Sequence, residues 1–96
     1  VRRPKVSHEK IFMFAKDDDY KFYFDRLTEP GSVWHFDTNT TGDKGYAPFP
    51  DELATRCILP STDIGDVVLD PFSGSGTTVY VAESNCREGI GMELYL

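Results

Sequence analysis

The fold that we predict for this chain depends on the stretch Val67-Val68-Leu69-Asp70-Pro71-Phe72-Ser73-Gly74-Ser75-Gly76-Thr77-Thr78. Its apolar start, with two β-branched residues, is typical of a strand buried on both faces of a parallel sheet. Asp70 ends this strand, and Gly74 and Gly76 follow in a tight turn. Beyond the turn, apolar residues recur at the i, i+3 and i+7 positions of an amphipathic helix, namely Val79, Ala82 and Cys86. The stretch therefore predicts a strand, a glycine turn and a helix.

The predicted turn has the properties of a ligand-binding loop. It brings backbone N–H groups and the positive end of a helix to the carboxyl edge of a sheet, where α/β folds bind ligands. Glycine suits such a turn because a Cβ would obstruct a ligand lying against the backbone or would forbid positive φ. About 20 residues beyond the loop, nucleotide-binding units of this design carry an acid that binds the ribose hydroxyls. Glu93 fits that spacing, because Gly89-Ile90-Gly91-Met92-Glu93 is predicted to be a second strand that ends in this acid.

Two well-known phosphate-binding loops do not match this turn. A P-loop requires Lys and then Ser or Thr directly after its last glycine, but Thr77 follows Gly76. The dinucleotide fingerprint requires a third glycine three residues after the second, where this chain has Val79. A strand, turn and helix that binds no ligand stays open as the structural alternative.

Two motifs resemble those of a known family. The S-adenosylmethionine-binding motif I of DNA methyltransferases that make N6-methyladenine or N4-methylcytosine resembles Asp70-Pro71-Phe72-Ser73-Gly74-Ser75-Gly76-Thr77-Thr78. Motif X of that family resembles Tyr46-Ala47-Pro48-Phe49-Pro50-Asp51-Glu52-Leu53-Ala54. Motif X directly before motif I is the order of the circularly permuted β group. The resemblance also touches His8 to Lys16 and Val33-Trp34, and so covers most of the chain.

The resemblance implies a set of cofactor-binding residues. The helix that opens at Phe49-Pro50 would present free N–H groups to the carboxylate of the methionine moiety, with Phe49 against the ligand. Asp70 would accept a hydrogen bond from the ammonium group, Phe72 would line the pocket, and Glu93 would accept both ribose hydroxyls. The full set is Phe49, Pro50, Asp70, Pro71, Phe72, Ser73, Gly74, Ser75, Gly76, Thr77, Thr78 and Glu93. The structural alternatives are that Asp70 caps the turn and that Glu93 is an exposed strand end.

The chain departs from the family pattern in two ways. The family often carries a histidine four residues before the phenylalanine of motif X, but Gly45 stands there. The catalytic motif, in which Asp, Ser or Asn precedes Pro-Pro and an aromatic residue, is absent, since none of the six prolines is adjacent to another. In the β group that motif lies upstream of everything present here. We therefore expect the cofactor-binding, carboxyl-terminal part of a restriction-modification DNA methyltransferase, inactive on its own.

The predicted fold class is α/β, a partial Rossmann-like methyltransferase fold with an N-terminal β-hairpin. Residues 1–26 supply the hairpin, in which Ile11-Phe12-Met13-Phe14-Ala15 is a buried strand and the aromatic residues from Tyr20 to Phe24 form its partner. Residues 27–48 form a long loop anchored by Trp34, and residues 49–96 form the cofactor-binding part. In that part, a helix that ends at Pro60 and Ser61 buries one face made of Leu53, Ala54, Cys57 and Ile58.

Composition limits the partners that this chain could bind by itself. The net charge of its 96 residues is −6, and DNA binding depends on Lys and Arg, so DNA should be held mainly by parts outside this chain. Cys57 and Cys86 have neither metal-ligand nor disulfide spacing and are predicted to be buried or half-buried thiols, with no metal site. No signal peptide and no apolar run of roughly 18 residues is present, which favours a cytoplasmic protein without a membrane span.

A rival from another functional class stays open. The same strand, turn and helix would suit a non-catalytic Rossmann-like module that binds a nucleotide or mediates oligomerisation. A relic fragment that binds nothing is a third alternative. Within the methyltransferase interpretation, N6 of adenine and N4 of cytosine both stay open as targets.

The edges of the predicted incomplete sheet favour oligomerisation. A sheet without its neighbouring strands exposes edges that pair readily with another chain. We therefore expect this chain to form a homo-oligomer, by edge pairing or by exchange of elements. Light scattering over a wide concentration range should show a dimeric mass, and a compact monomer at every concentration would contradict the prediction.

Overall fold

A βαβ unit forms the centre of the computed structural model, which describes residues 8–36 and 49–94. The regular elements, in chain order, are a 3₁₀ helix η1 (Phe24–Arg26), helix α1 (Asp51–Ser61), strand β1 (Val67–Asp70), helix α2 (Thr77–Ser84) and strand β2 (Glu88–Gly91). The two strands pair in parallel, with Val67 opposite Glu88 and Leu69 opposite Ile90. Because parallel strands need a crossover connection, α2 returns the chain from β1 to β2.

The strand, glycine turn and helix predicted from the sequence are confirmed. β1 ends at Asp70, and α2 begins directly after Gly76. Gly74 and Gly76 have φ angles of +54° and +91°, in the left-handed region that residues with a Cβ rarely adopt. The second strand ends at Gly91, two residues before the predicted end, so Glu93 lies just beyond it.

The hydrophobic core lies between the two helices. Ala54 and Ile58 of α1 pack with Val81 and Ala82 of α2, and the partly buried Val68 of β1 completes the cluster. The predicted buried face of α1 is therefore right at Ala54 and Ile58. It is wrong at Cys57, which is exposed, because the face of α1 that meets α2 does not include that position.

The other cysteine prediction is wrong as well. Cys86 is exposed and lies after the end of α2, outside the apolar stripe of the helix. Its φ of +64° is left-handed, a conformation that commonly ends a helix and that glycine usually supplies. Ala82 of the predicted stripe is buried, and so is Val81, which lies outside that stripe.

β2 contains two glycines because α2 crosses it very closely. A Cβ on Gly89 would lie 2.9 Å from Val79 Cγ1 and 3.0 Å from the Cα and carbonyl oxygen of Val79. A Cβ on Gly91 would lie 2.9 Å from both Ser73 Cβ and Val79 Cγ2. The absence of side chains at these two positions lets α2 and the turn lie directly on the strand.

β1 is covered on one face, so the prediction that it is buried on both faces is wrong. Val68 faces the core, but Val67 and Leu69 are 56% and 58% exposed. Ile90, the partner of Leu69 on β2, is 45% exposed. Parallel sheets are normally covered by helices on both faces. Within the described residues, the core formed by α1 and α2 covers only the Val68 face.

The predicted N-terminal hairpin is wrong, since residues 8–26 contain no strand. The large side chains from Ile11 to Phe14 are exposed, and Phe14 reaches 89% exposure. Tyr23 N–H donates to the carbonyl of Pro60 at 2.7 Å, so the backbone of the second predicted strand bonds to α1 and not to a neighbouring strand. A two-stranded hairpin is marginally stable alone, and docking on α1 replaces it here.

Polar contacts attach this segment to the carboxyl end of α1. Arg26 Nη1 donates to the carbonyls of Leu59 and Thr62 at 3.1 and 2.8 Å. Arg87, next to β2, donates from Nη2 to the carbonyl of Thr62 at 2.9 Å. These bonds occupy carbonyls that a helix leaves without intrahelical donors at its end. Two arginines distant in sequence thus fix the end of α1.

The described part of the loop, residues 27–36, contains no helix or strand, as predicted. Trp34 is half-buried and contacts the ring of Phe36 edge-on, with 6.4 Å between ring centroids. The rest of the predicted loop lies outside the described residues.

Replacement of Gly89 tests the close crossing of α2 over β2. Gly89→Ala should lower the free energy of unfolding by about 1–3 kcal/mol, because its Cβ would meet backbone atoms of Val79. Gly31→Ala is the matched control, since nothing lies within 4 Å of the position of its Cβ. Urea unfolding measures the free energy of unfolding of both variants and of the parent chain. Equal stability of the two variants would contradict the crossing.

Candidate functional site

The glycine turn and Glu93 meet at the carboxyl edge of the sheet. Gly74 N–H donates to Glu93 Oε1 at 2.6 Å, across a separation of 19 residues. The N–H and the hydroxyl of Ser73 both donate to the carbonyl of Met92, at 2.8 and 3.1 Å. Because β1 and β2 run parallel, their carboxyl ends bring the turn and the acid to one place.

Asp70, the last residue of β1, stabilises the turn through its side chain. Its Oδ1 accepts a hydrogen bond from Phe72 N–H at 2.9 Å, so Asp70 caps the turn as the structural alternative expects, and its cofactor-binding role stays a prediction. This bond occupies one carboxylate oxygen, and Asp70 remains only partly buried. Phe72 itself is 85% exposed and points its ring away from the core.

The start of α2 carries backbone N–H groups that have no acceptor within the helix. Gly76 N–H closes the turn by donating to the carbonyl of Ser73 at 2.8 Å, and Tyr80 N–H makes a helical bond to Gly76 at 2.9 Å. Among the residues that the structure describes, no side chain caps the helix. The N–H groups of Thr77 and Thr78 therefore have no acceptor within the helix, and they lie at its positive end.

The start of α1 likewise has no side-chain cap within residues 8–36 and 49–94. Its N-cap residue is Pro50, with no side-chain cap hydrogen bond, and Leu53 N–H donates to the Pro50 carbonyl at 3.0 Å. Phe49 is 40% exposed. Among the described residues no hydrogen bond joins Phe49 or Pro50 to the turn. The structure relates these two parts of the predicted site only through the packing of α1 on α2.

The groups at the carboxyl edge form a chemically mixed site. Backbone N–H groups and a helix start attract an anion, whereas the carboxylates of Asp70 and Glu93 attract cationic or hydroxyl donors. A ligand that carries both kinds of group would match this arrangement. A shallow concavity of ≈ 420 Å³ lies elsewhere, at the carboxyl end of α1, and is lined by Arg26, Leu59, Asp63, Ile64 and Arg87.

A buried arginine lies on α1 at a position that the sequence pattern did not predict. Arg56 is 8% exposed, and its Nη1 and Nη2 donate to Glu29 at 2.6 Å and to Glu52 at 2.8 Å. Its guanidinium also lies 4.5 Å from the centroid of the Phe36 ring. The i, i+4 spacing of Glu52 and Arg56 is a recognisable signal for part of this network. Nothing in the local sequence indicates the contact with Glu29, which is 27 residues away.

Three donors converge on the Glu29 carboxylate. His35 N–H donates to Glu29 Oε2 at 2.6 Å, and His35 Nδ1 lies 2.7 Å from Oε1. The hydrogen bonds from His35, together with the one from Arg56, lower the pKa of Glu29 to about 2. This network attaches residues 29–36 to the middle of α1.

Residues 8–36 and 49–94 contain neither a metal site nor a membrane-spanning helix. No cluster of His, Cys, Asp and Glu in these ranges has the arrangement of a metal site. No helix there has the length and apolar character needed to cross a membrane.

Glu29 should make stability depend on pH in the acid range. Its pKa falls from an ordinary 4.5 to about 2 in the folded chain, so its contribution is complete above pH 4.5 and is lost as the pH falls through 2. Glu29→Gln should therefore show a smaller loss of stability between neutral pH and acid than the parent chain. Urea unfolding at several pH values measures this, with Glu83→Gln on the exposed side of α2 as control. Equal pH dependence in all three proteins would contradict the role of Glu29.

Known proteins resemble this chain over its whole length. The N6/N4 family described as DNA methylase matches residues 1–96. The type II methyltransferase M.XycI of Xanthomonas campestris pv. cyanopsidis is 40% identical over 101 residues, which cover 96% of this chain and 34% of that protein. M.Cfr9I of Citrobacter freundii is 39% identical over the same shares of the two chains. M.SmaI of Serratia marcescens is 37% identical, over 96% of this chain and 35% of its own length. The chain thus spans about a third of the length of these curated relatives.

Proposed function

This chain belongs to the DNA methylase family of the N6/N4 type, and we propose that it is the cofactor-binding part of a DNA methyltransferase acting on N6 of adenine or N4 of cytosine. The family as a whole implies use of S-adenosylmethionine. The observation that carries the proposal is the contact between Gly74 N–H and Glu93, which joins the motif I turn to the acid expected at the ribose. A merely local strand, turn and helix would not require that contact.

The residues of the site fit the groups of S-adenosylmethionine. The uncapped start of α1, after Phe49-Pro50, would donate N–H groups to the carboxylate of the methionine moiety. Asp70 would attract the ammonium group, because its bond to Phe72 N–H uses only one oxygen. Glu93, held beside the turn by Gly74, would bind the ribose hydroxyls.

The turn itself would form the floor of the pocket. Gly74 and Gly76 carry no Cβ, so a ligand could lie against the backbone there, and the helix start at Thr77 and Thr78 adds donors and a positive dipole. The remaining members of the proposed set are Pro71, Phe72, Ser73 and Ser75, which shape the turn and its rim. When bound, S-adenosylmethionine supplies an electrophilic methyl group.

Transfer of that group to DNA needs more than a cofactor pocket. An exocyclic amino group is reached by flipping the base out of the duplex and is held by acceptors that stabilise positive charge developing on nitrogen. We assign those acceptors and most phosphate contacts to parts of the protein beyond this chain, whose net charge of −6 disfavours a broad DNA-binding surface. The type II relatives suggest a role in restriction-modification.

Neutralisation of Asp70 tests the cofactor site. Asn at this position keeps an oxygen for the bond from Phe72 N–H but loses the charge that attracts an ammonium group. Asp70→Asn should therefore weaken binding of S-adenosylmethionine about tenfold, as measured by calorimetry, with little change in stability. Asp25→Asn, on the exposed surface of η1, is the control and should bind like the parent chain.

Competition separates this proposal from a general nucleotide-binding module. S-adenosylhomocysteine should compete with S-adenosylmethionine, whereas NAD and ATP should not. Competition by ATP, or equal weakening by Asp70→Asn and Asp25→Asn, would contradict the proposed function.

A further inference from the structure

The carboxylate of Glu52 pairs with an arginine one turn further along α1. Glu52 belongs to the first turn of α1, where acids are attracted to the free N–H groups and the positive end of the helix. In the structure its Oε1 instead accepts a hydrogen bond from Arg56 Nη2, one turn later, at 2.8 Å. Its side chain is 52% exposed, so packing alone does not hold it there.

Arg56 is held independently of Glu52. Its side chain is only 7% exposed and donates to Glu29 at 2.6 Å, while Phe36 packs against the guanidinium. Two residues distant in sequence thus fix the arginine, and the fixed arginine binds the exposed carboxylate of Glu52. The position of Arg56 therefore depends on Glu29, and the position of the Glu52 carboxylate depends on Arg56.

We propose that Arg56 is a positioning residue that keeps the start of α1 open to the carboxylate of the cofactor, by holding the carboxylate of Glu52 away from it and neutralising its charge. This inference rests on the proposed function, in which that helix start binds the methionine carboxylate. Without Arg56, Glu52 would swing back to the N–H groups and repel an incoming carboxylate. Asp51 is the other acid of the first turn, and it is present in every variant below.

The experiment compares two ligands that differ in one carboxylate. Calorimetry measures the affinity of the chain for S-adenosylmethionine and for decarboxylated S-adenosylmethionine, which keeps the ammonium and sulfonium groups. Arg56→Met should weaken binding of S-adenosylmethionine about fivefold to tenfold and leave binding of the decarboxylated ligand within about twofold. The double variant Arg56→Met with Glu52→Gln should recover the affinity for S-adenosylmethionine, although it restores no stability.

A second pair of variants leaves Arg56 and Glu29 untouched, because removal of the buried arginine takes one of three donors from the Glu29 carboxylate and could prevent folding. Glu52→Asp shortens the side chain, withdraws the carboxylate from the fixed guanidinium and should weaken binding of S-adenosylmethionine alone. Glu52→Gln is the matched control, since it carries no charge, and should bind both ligands like the parent chain.

The outcomes separate this inference from the proposed function. Equal weakening for both ligands, or no recovery in the double variant, would show that Arg56 only stabilises the fold and would overturn the inference. Unchanged affinity in Arg56→Met and Glu52→Asp would overturn it as well. A parent chain that binds neither ligand would overturn the proposed function, and the inference with it.

Discussion

The close crossing of α2 over β2 is the constraint on which the rest of this structure depends. Val79 lies so near Gly89 and Gly91 that no side chain fits between them. This approach sets the distance of α2 from the sheet, and through Ser73 it also sets the position of the turn that precedes the helix. The contact between the turn and Glu93 follows, because the acid lies two residues beyond the strand on which the helix rests.

Local signals in the sequence were sufficient for the turn and for the acid beyond it. Gly74 and Gly76 occupy positions that need positive φ, and the spacing to Glu93 reflects the length of one crossover helix. Both depend on short-range geometry, which residue type and spacing encode directly. The two motifs are also short stretches of sequence, and the family that they indicated is the N6/N4 DNA methylase family to which the chain belongs.

Predictions that depended on distant neighbours were less successful. The run from Ile11 to Ala15 has the composition of a buried strand, but no strand pairs with it in the described residues. Val67 and Leu69 likewise belong to an apolar run typical of a strand buried on both faces, but both side chains are more than half exposed. The pairing of Arg56 with Glu29 joins residues far apart in sequence, which periodicity does not reveal. In each case the missing information is tertiary, because hydrophobic pattern specifies burial but not the partner that provides it.

The parallel pairing of β1 and β2 has a further consequence for the way the chain acquires its structure. Both strands and their connecting helix are consecutive in sequence, so the contacts among them close short loops at a small cost in chain entropy. The attachments of residues 21–36 to α1 close longer loops, of 27 residues between Glu29 and Arg56 and 37 between Tyr23 and Pro60, against 21 between paired residues of the two strands. We therefore expect the βαβ unit to form first and the N-terminal segment to dock on it later.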